Sequence, residues 1–182
     1  MVELIFAVLA ANAFPSEHGD PLHPAVLTLE EAILRFAPAK RNGKRVVFTN
    51  GCFDILHPGH IKLLEAARAE GDILIVGLND DKGVKALKGP DRPCHPESER
   101  AEILANWECV DAVVIFREAT PQKTIAALLP DVLVKGGDWR GKQVVGREEV
   151  EAVGGKVVLI DIVQGYSTTT ILQDIRGGDQ EG

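Results

Sequence analysis

Five short runs rich in Val, Ile and Leu, at 45–50, 72–78, 112–116, 131–135 and 156–161, constrain the fold more than any other feature of this chain. They show little polar alternation, so each predicts a strand covered on both faces, as in a parallel sheet. The intervals carry helix-like patterns near 58–70, 96–107, 120–129 and 146–153, with a last one near 167–176. Pro130 and the pair Gly154-Gly155 mark helix ends. Strands alternating with helices predict a three-layer α/β domain around a doubly wound, five-stranded parallel sheet. In such sheets a ligand lies beyond the carboxyl ends of the strands.

Ahead of this pattern, residues 1–27 read as an extension, because Pro15, Gly19, Pro21 and Pro24 break any long element. Thr28 and Glu31 form a capping-box pair that predicts a short helix through Phe36. The basic stretch Lys40-Arg41-Asn42-Gly43-Lys44 reads as a solvated turn. Residues 28–176 then form one domain, and 177–182 a frayed tail.

A chain of 182 residues is long enough for one full core. Its net charge of −7 argues against general nucleic-acid binding. An anionic substrate would need Lys, Arg and His gathered locally. Cys52, Cys94 and Cys109 lie far apart and are odd in number, which suits a reducing cytosol. No run reaches the roughly 18 apolar residues of a membrane span. Leu4 to Ala11 is apolar and Ala11-Asn12-Ala13 imitates a secretory cleavage site, but Glu3 and the lack of Lys or Arg before it argue against a signal peptide. An added strand, a docking helix or an interface segment fits better.

The unusual residues collect after the strands. After the first comes Thr49-Asn50-Gly51-Cys52-Phe53-Asp54-Ile55-Leu56-His57-Pro58-Gly59-His60. Pro58 suits a first helical position and Gly59 admits close approach to the backbone. A first strand–helix turn holds phosphates in α/β proteins, so His57 and His60 are expected to face one. Imidazole N–H donors suit charge on a transferring phosphoryl group. Zinc is the rival use for Cys52, His57 and His60, but no second Cys/His cluster has a familiar spacing. After the second strand come Asn79, Asp80 and Asp81. Lys85, Lys88, Arg92 and Arg100 follow in a turn-rich segment, expected as a loop that closes over phosphates. After the fourth strand, Gly136-Gly137-Asp138-Trp139-Arg140-Gly141-Lys142-Gln143 is a near miss to the P-loop, with Gln143 where Ser or Thr would hold Mg²⁺. Gly136 and Gly137 are instead expected to let a base or ribose lie against backbone, with Asp138 accepting a hydrogen bond. After the fifth, Ser167-Thr168-Thr169-Thr170 reads as a second phosphate-binding helix start.

The pattern Asn50-Gly51-Cys52-Phe53-Asp54 with His57-Pro58-Gly59-His60 resembles the cytidylyltransferase-like nucleotidyltransferases, marked by a His-x-Gly-His motif and a late Ser-Thr-Thr motif, here Ser167-Thr168-Thr169. Adding Asn79-Asp80-Asp81, Leu87 to Pro93, Val134 to Trp139 and Gly165 to Thr169, the chain is most similar to the adenylyltransferases that make ADP-heptose for lipopolysaccharide. The resemblance covers about 44–176. It implies a Rossmann-like nucleotidyltransferase fold, in which AMP passes from ATP to D-glycero-β-D-manno-heptose 1-phosphate, with Mg²⁺, releasing pyrophosphate. By the same resemblance His57, His60 and Lys88 would be catalytic. Asn50, Gly51, Cys52, Phe53, Gly136, Gly137, Asp138, Ser167, Thr168 and Thr169 would bind the nucleotide. Asn79, Asp80, Lys85, Arg92 and Arg100 would bind phosphate or substrate. It further implies a cytoplasmic homodimer with no nucleic-acid or membrane partner. In many bacteria such a domain follows a sugar kinase; the short stretch before the first strand predicts a stand-alone form. A sibling glycerol-3-phosphate cytidylyltransferase, or a nucleotide-binding module without catalysis, are the alternatives; the presence of both histidines speaks against the second.

Overall fold

The computed structural model describes His23 and residues 25–161. Among these residues, six parallel strands form one sheet in the order β1-β4-β3-β2-β5-β6. They are β1 (Val26–Leu27), β2 (Val46–Gly51), β3 (Ile73–Asn79), β4 (Ala112–Phe116), β5 (Val132–Gly136) and β6 (Lys156–Ile160). The helices are α1 (Leu29–Phe36), α2 (Pro58–Arg68), α3 (Asp81–Lys88), α4 (Glu97–Ala105), α5 (Gln122–Leu128) and α6 (Arg147–Ala152). None is long and apolar enough to cross a membrane.

The strand side chains divide as a pleated sheet requires. Val47 joins Leu64 and Ala67 of α2 and Ala101 and Leu104 of α4 in one core. Its neighbours Val46 and Phe48 join Ala32 of α1, Ile125 and Leu128 of α5 and Val150 of α6 in the other. Three layers result, as the uninterrupted apolar runs predict. Each fully buried Leu, Ile or Phe contributes about 1.5–3 kcal/mol.

Carboxylates pin the sheet at its amino end. Asp72, just before β3, accepts from the Arg45 amide at 2.8 Å. Asp111, before β4, accepts from the Leu74 amide at 2.7 Å. Asp131, before β5, accepts from the Val46 amide at 2.7 Å. Each satisfies an N–H on or just before the adjacent strand and helps to fix its register.

Three expectations need correction. The sheet has a sixth strand, because Val26 and Leu27 of the stretch read as an extension pair with Val113 and Val114. Two residues are too few to show a periodicity. Of the segment 85–100 read as turn-rich, Lys85 to Lys88 belong instead to the helix Asp81–Lys88, which the Asp80 side chain caps by accepting from the Gly83 amide at 2.7 Å. The signals of that helix, the cap Asp80 and Gly89 just past the last turn, are both present in the sequence. Arg41, in the turn read as solvated, is 7% exposed. It donates to the carbonyls of Phe36, Leu128 and Leu129 and to Asp131, tying α1 to the carboxyl end of α5. The capping box on α1 forms as expected, with both reciprocal bonds present. The helix expected near 167–176 lies outside the described residues.

Candidate active site

The strand order creates a crevice. From β2 the chain moves through β3 to β4, then returns to place β5 on the other side of β2. The helix after β2 covers one face of the sheet and the helix after β5 covers the opposite face. The carboxyl ends of β2 and β5 are therefore a topological switch point. A cleft of about 450 Å³ opens there. Asn50 to Asp54, His57 and His60 form its floor; Asn79, Leu87, Lys88 and Arg92 line it from the β3 side, and Lys135 and Trp139 from β5.

The floor is built by a tight turn. Phe53 has φ +43°, unusual for a side-chain-bearing residue and a sign of stored strain at a site. Its ring lies beneath the backbone, so a Cβ on Gly51 would meet it at 3.1 Å. Glycine keeps that peptide close to the cleft. The Phe53 ring also packs on His60, with centroids 5.1 Å apart.

His57 stands at the N-cap position of α2 in extended conformation, its side chain making no capping bond, with Pro58 at the first helical position. The His57 and His60 rings stack at 3.7 Å, tilted by 21°. Burial lowers the pKa of His57. Burial first, then repulsion from His57 and Lys88, lowers that of His60 to about 4, against a backbone hydrogen bond to Ile55 that raises it. Both shifts favour the neutral imidazoles at pH 7. Their Nδ1 atoms are buried and unpartnered, as is Thr49 Oγ1 on the strand behind them. Buried polar atoms without partners are rare, and each calls for an explanation such as a catalytic role or a bound water or ion.

This has a consequence for stability. An unfolded histidine takes up its proton near pH 6.5, whereas His60 in the fold resists until about pH 4. Stability should fall as the pH drops through that window and level off below it. In urea unfolding between pH 7 and 4, the His60→Gln variant should show a slope shallower by roughly 2–3 kcal/mol over the window. An unaltered slope would remove His60 as the cause.

The structure does not bring every expected residue to the cleft. Asp80 is used as the cap of α3. Lys85 is exposed on α3 and does not line the cleft. Arg100 is fully buried and donates to the carbonyls of His95, Cys52 and Asn79 and to Asp81, so it supports the floor from below and is not placed to clamp a phosphate. Gly136 and Gly137 are outside the lining; a Cβ on Gly137 would meet Asp161 and the Ile160 carbonyl, so its small size serves strand packing. The Asp138 side chain and Ser167, Thr168 and Thr169 lie outside the described side chains. Burial raises the Cys52 thiol pKa, which disfavours the thiolate that zinc would require.

Four lining residues were not singled out as binding residues from sequence: Asp54, Leu87, Lys135 and Trp139. Lys135 is buried at the end of β5 and donates to the Asn50 side chain. Its ammonium lies 5.2 Å from the centre of the Trp139 ring, and that of Lys142 lies 5.9 Å away. Trp139 also packs against the core, so a supported aromatic wall meets the cleft. Among the described residues no three His, Cys, Asp or Glu side chains are grouped to hold a metal.

The profile of the cytidylyltransferase-like family matches residues 48–174. Bifunctional protein HldE of Bradyrhizobium diazoefficiens is 56% identical over 176 residues, which are 97% of this chain and 35% of that protein. Bifunctional protein HldE of Geotalea uraniireducens is 52% identical over 162 residues, 88% of this chain and 33% of that protein. The chain thus spans about a third of the length of the curated relatives it matches. A lipopolysaccharide core biosynthesis protein from Thermoplasma volcanium superposes with a TM-score of 0.57 at 26% identity, covering 69% of this chain and 100% of that one. Pantoate-beta-alanine ligase from Francisella tularensis shares the fold alone, with a TM-score of 0.52 at 14% identity over 83% of this chain and 76% of the other.

Proposed function

Because this chain belongs to the cytidylyltransferase-like family, we propose that it transfers AMP from ATP to D-glycero-β-D-manno-heptose 1-phosphate, giving ADP-heptose and pyrophosphate for lipopolysaccharide biosynthesis. The observation that carries the reading is the stacked pair His57 and His60, with buried unpartnered Nδ1 atoms at the start of α2. Two neutral donors and a helix amino terminus converge where a reacting α-phosphate would sit. An oxygen of the sugar phosphate attacks that phosphorus in line, and the pyrophosphate oxygen departs on the far side. The attacking group is already an anion, so no general base is needed. The protein's task is to orient the groups and to stabilise charge as it develops. Neutral imidazoles serve because they donate a hydrogen bond without requiring a second buried charge.

In this reading the nucleobase lies on the Trp139 wall and the Gly51–Phe53 main chain meets the α-phosphate. Lys88 bears on the phosphates, and Ser167, Thr168 and Thr169 hold the departing end. Mg²⁺ arrives on the nucleotide as part of the substrate; hard divalent cations of this kind bind mainly through phosphates. The HldE relatives support the family, and the lipopolysaccharide core biosynthesis protein supports the pathway. A cytosolic homodimer accompanies this reading.

Pyrophosphate release measured with ATP or CTP, each paired with the heptose 1-phosphate or with glycerol 3-phosphate, tests the proposal. Turnover should be confined to ATP with the sugar 1-phosphate. Turnover only with CTP and glycerol 3-phosphate would replace this reading by the sibling cytidylyltransferase.

A further inference from the structure

Asp54 closes the phosphate turn, and its side chain is 2% exposed. A carboxylate so deeply buried needs compensation. It receives a guanidinium: Arg92 donates to Asp54 through both Nε and Nη2. The other carboxylate oxygen accepts from the amide of Cys94 at 2.6 Å and, more weakly, from that of His95 at 3.4 Å. The segment after α3 is thereby fastened to the turn that carries the histidines.

The pairing also fixes how Arg92 enters the cleft. It engages the Nε–Nη2 edge and leaves Nη1 outside the pair, while Arg92 lines the cleft beside Lys88 and opposite Trp139. A planar fork held on one edge has little freedom in the other. The positive charge is matched by Asp54, so the group directs an anion more than it attracts one. In-line transfer puts the acceptor and the leaving group on opposite sides of phosphorus. Of the two walls of the cleft, the nucleoside takes the β5 side in the reading above, which leaves the β3 side for the acceptor.

We propose that Asp54 is a positioning residue that presents the free edge of Arg92 to the phosphomonoester of the acceptor, which makes this buried pair a determinant of acceptor binding. The inference rests on the nucleotidyl-transfer reading above. Asp54 touches no substrate and acts through Arg92.

A double-mutant cycle decides it. Initial rates are measured for wild type, Arg92→Gln, Asp54→Asn and the double variant, varying the sugar phosphate and ATP separately. Arg92→Gln should raise the KM for the sugar phosphate roughly tenfold, with the KM for ATP moved less than about twofold. Asp54→Asn keeps an acceptor for the Cys94 amide and should raise the same KM. The double variant should be no worse than Arg92→Gln, because the second change acts only through the first. Additive losses, an unaltered acceptor KM in Arg92→Gln, or an equal rise for ATP would each overturn the proposal. Should Asp54→Asn not fold, Arg92→Lys decides alone: it retains the charge but not the second edge, so recovery of the wild-type KM would refute positioning by the fork. Wild-type turnover with the sugar phosphate establishes the underlying reaction independently; a wild type idle on every pair overturns both readings.

Discussion

Replacing His57 or His60 by alanine should lower turnover by roughly 10²–10³-fold, the loss usual for one donor to a developing oxyanion. Nucleotide affinity should change little. The reason lies in the ground-state geometry: the Nδ1 atoms are buried and unpartnered, and the rings support each other at 3.7 Å. The donors are held in place before substrate arrives, so their contribution grows as charge develops. The two losses should not add, because each ring is packed against the other and removal of one frees its neighbour. Single-turnover kinetics with saturating ATP, alongside calorimetric titration of ATP, separate the two effects. Full turnover in either variant would remove the histidines from the reaction; equal losses in affinity and rate would make them ground-state ligands only.

A second large effect is expected far from any ligand. Arg100→Ala should destabilise the fold by about 3–5 kcal/mol, the range for breaking a buried charged network. Arg100 is 1% exposed. It serves the carbonyls of Cys52 at 2.6 Å, His95 at 2.9 Å and Asn79 at 3.0 Å, and Asp81 at 2.7 Å. Its loss strands three carbonyls and a carboxylate at once. The melting temperature should fall by on the order of 10 °C, at roughly 2–4 °C per kcal/mol for a chain of this size. Arg100→Lys should recover little, since one ammonium cannot reach four acceptors in a plane. A shift below about 2 °C for the alanine variant would show that water replaces the guanidinium.

What sequence could and could not reveal follows from the range of each interaction. A strand buried on both faces announces itself in consecutive residues, and Val46-Val47-Phe48 does so. The capping box on α1 is also local, closing over three residues. The pair His57 and His60 is legible because a strand–turn–helix junction is a local event. The buried charges are not. Arg41 meets Asp131 across 90 positions and Arg92 meets Asp54 across 38. Without those partners, Arg92 and Arg100 both read as free cations waiting for phosphate. Only Arg92 reaches the cleft. Lys135 and Trp139 were visible at a strand end, yet their importance depends on β5 lying beside β2, which no local pattern encodes.

The aspartates 72, 111 and 131 fasten the strands at the end of the sheet remote from the cleft. Alignment of the sheet thus depends on bonds that no rim residue shares. The exposed rim residues Leu87 and Lys88 can be exchanged during divergence with little disturbance to the register beneath them. A scaffold anchored at one end is open to new acceptors at the other, and a library restricted to those two positions would sample chemistry without re-solving the fold.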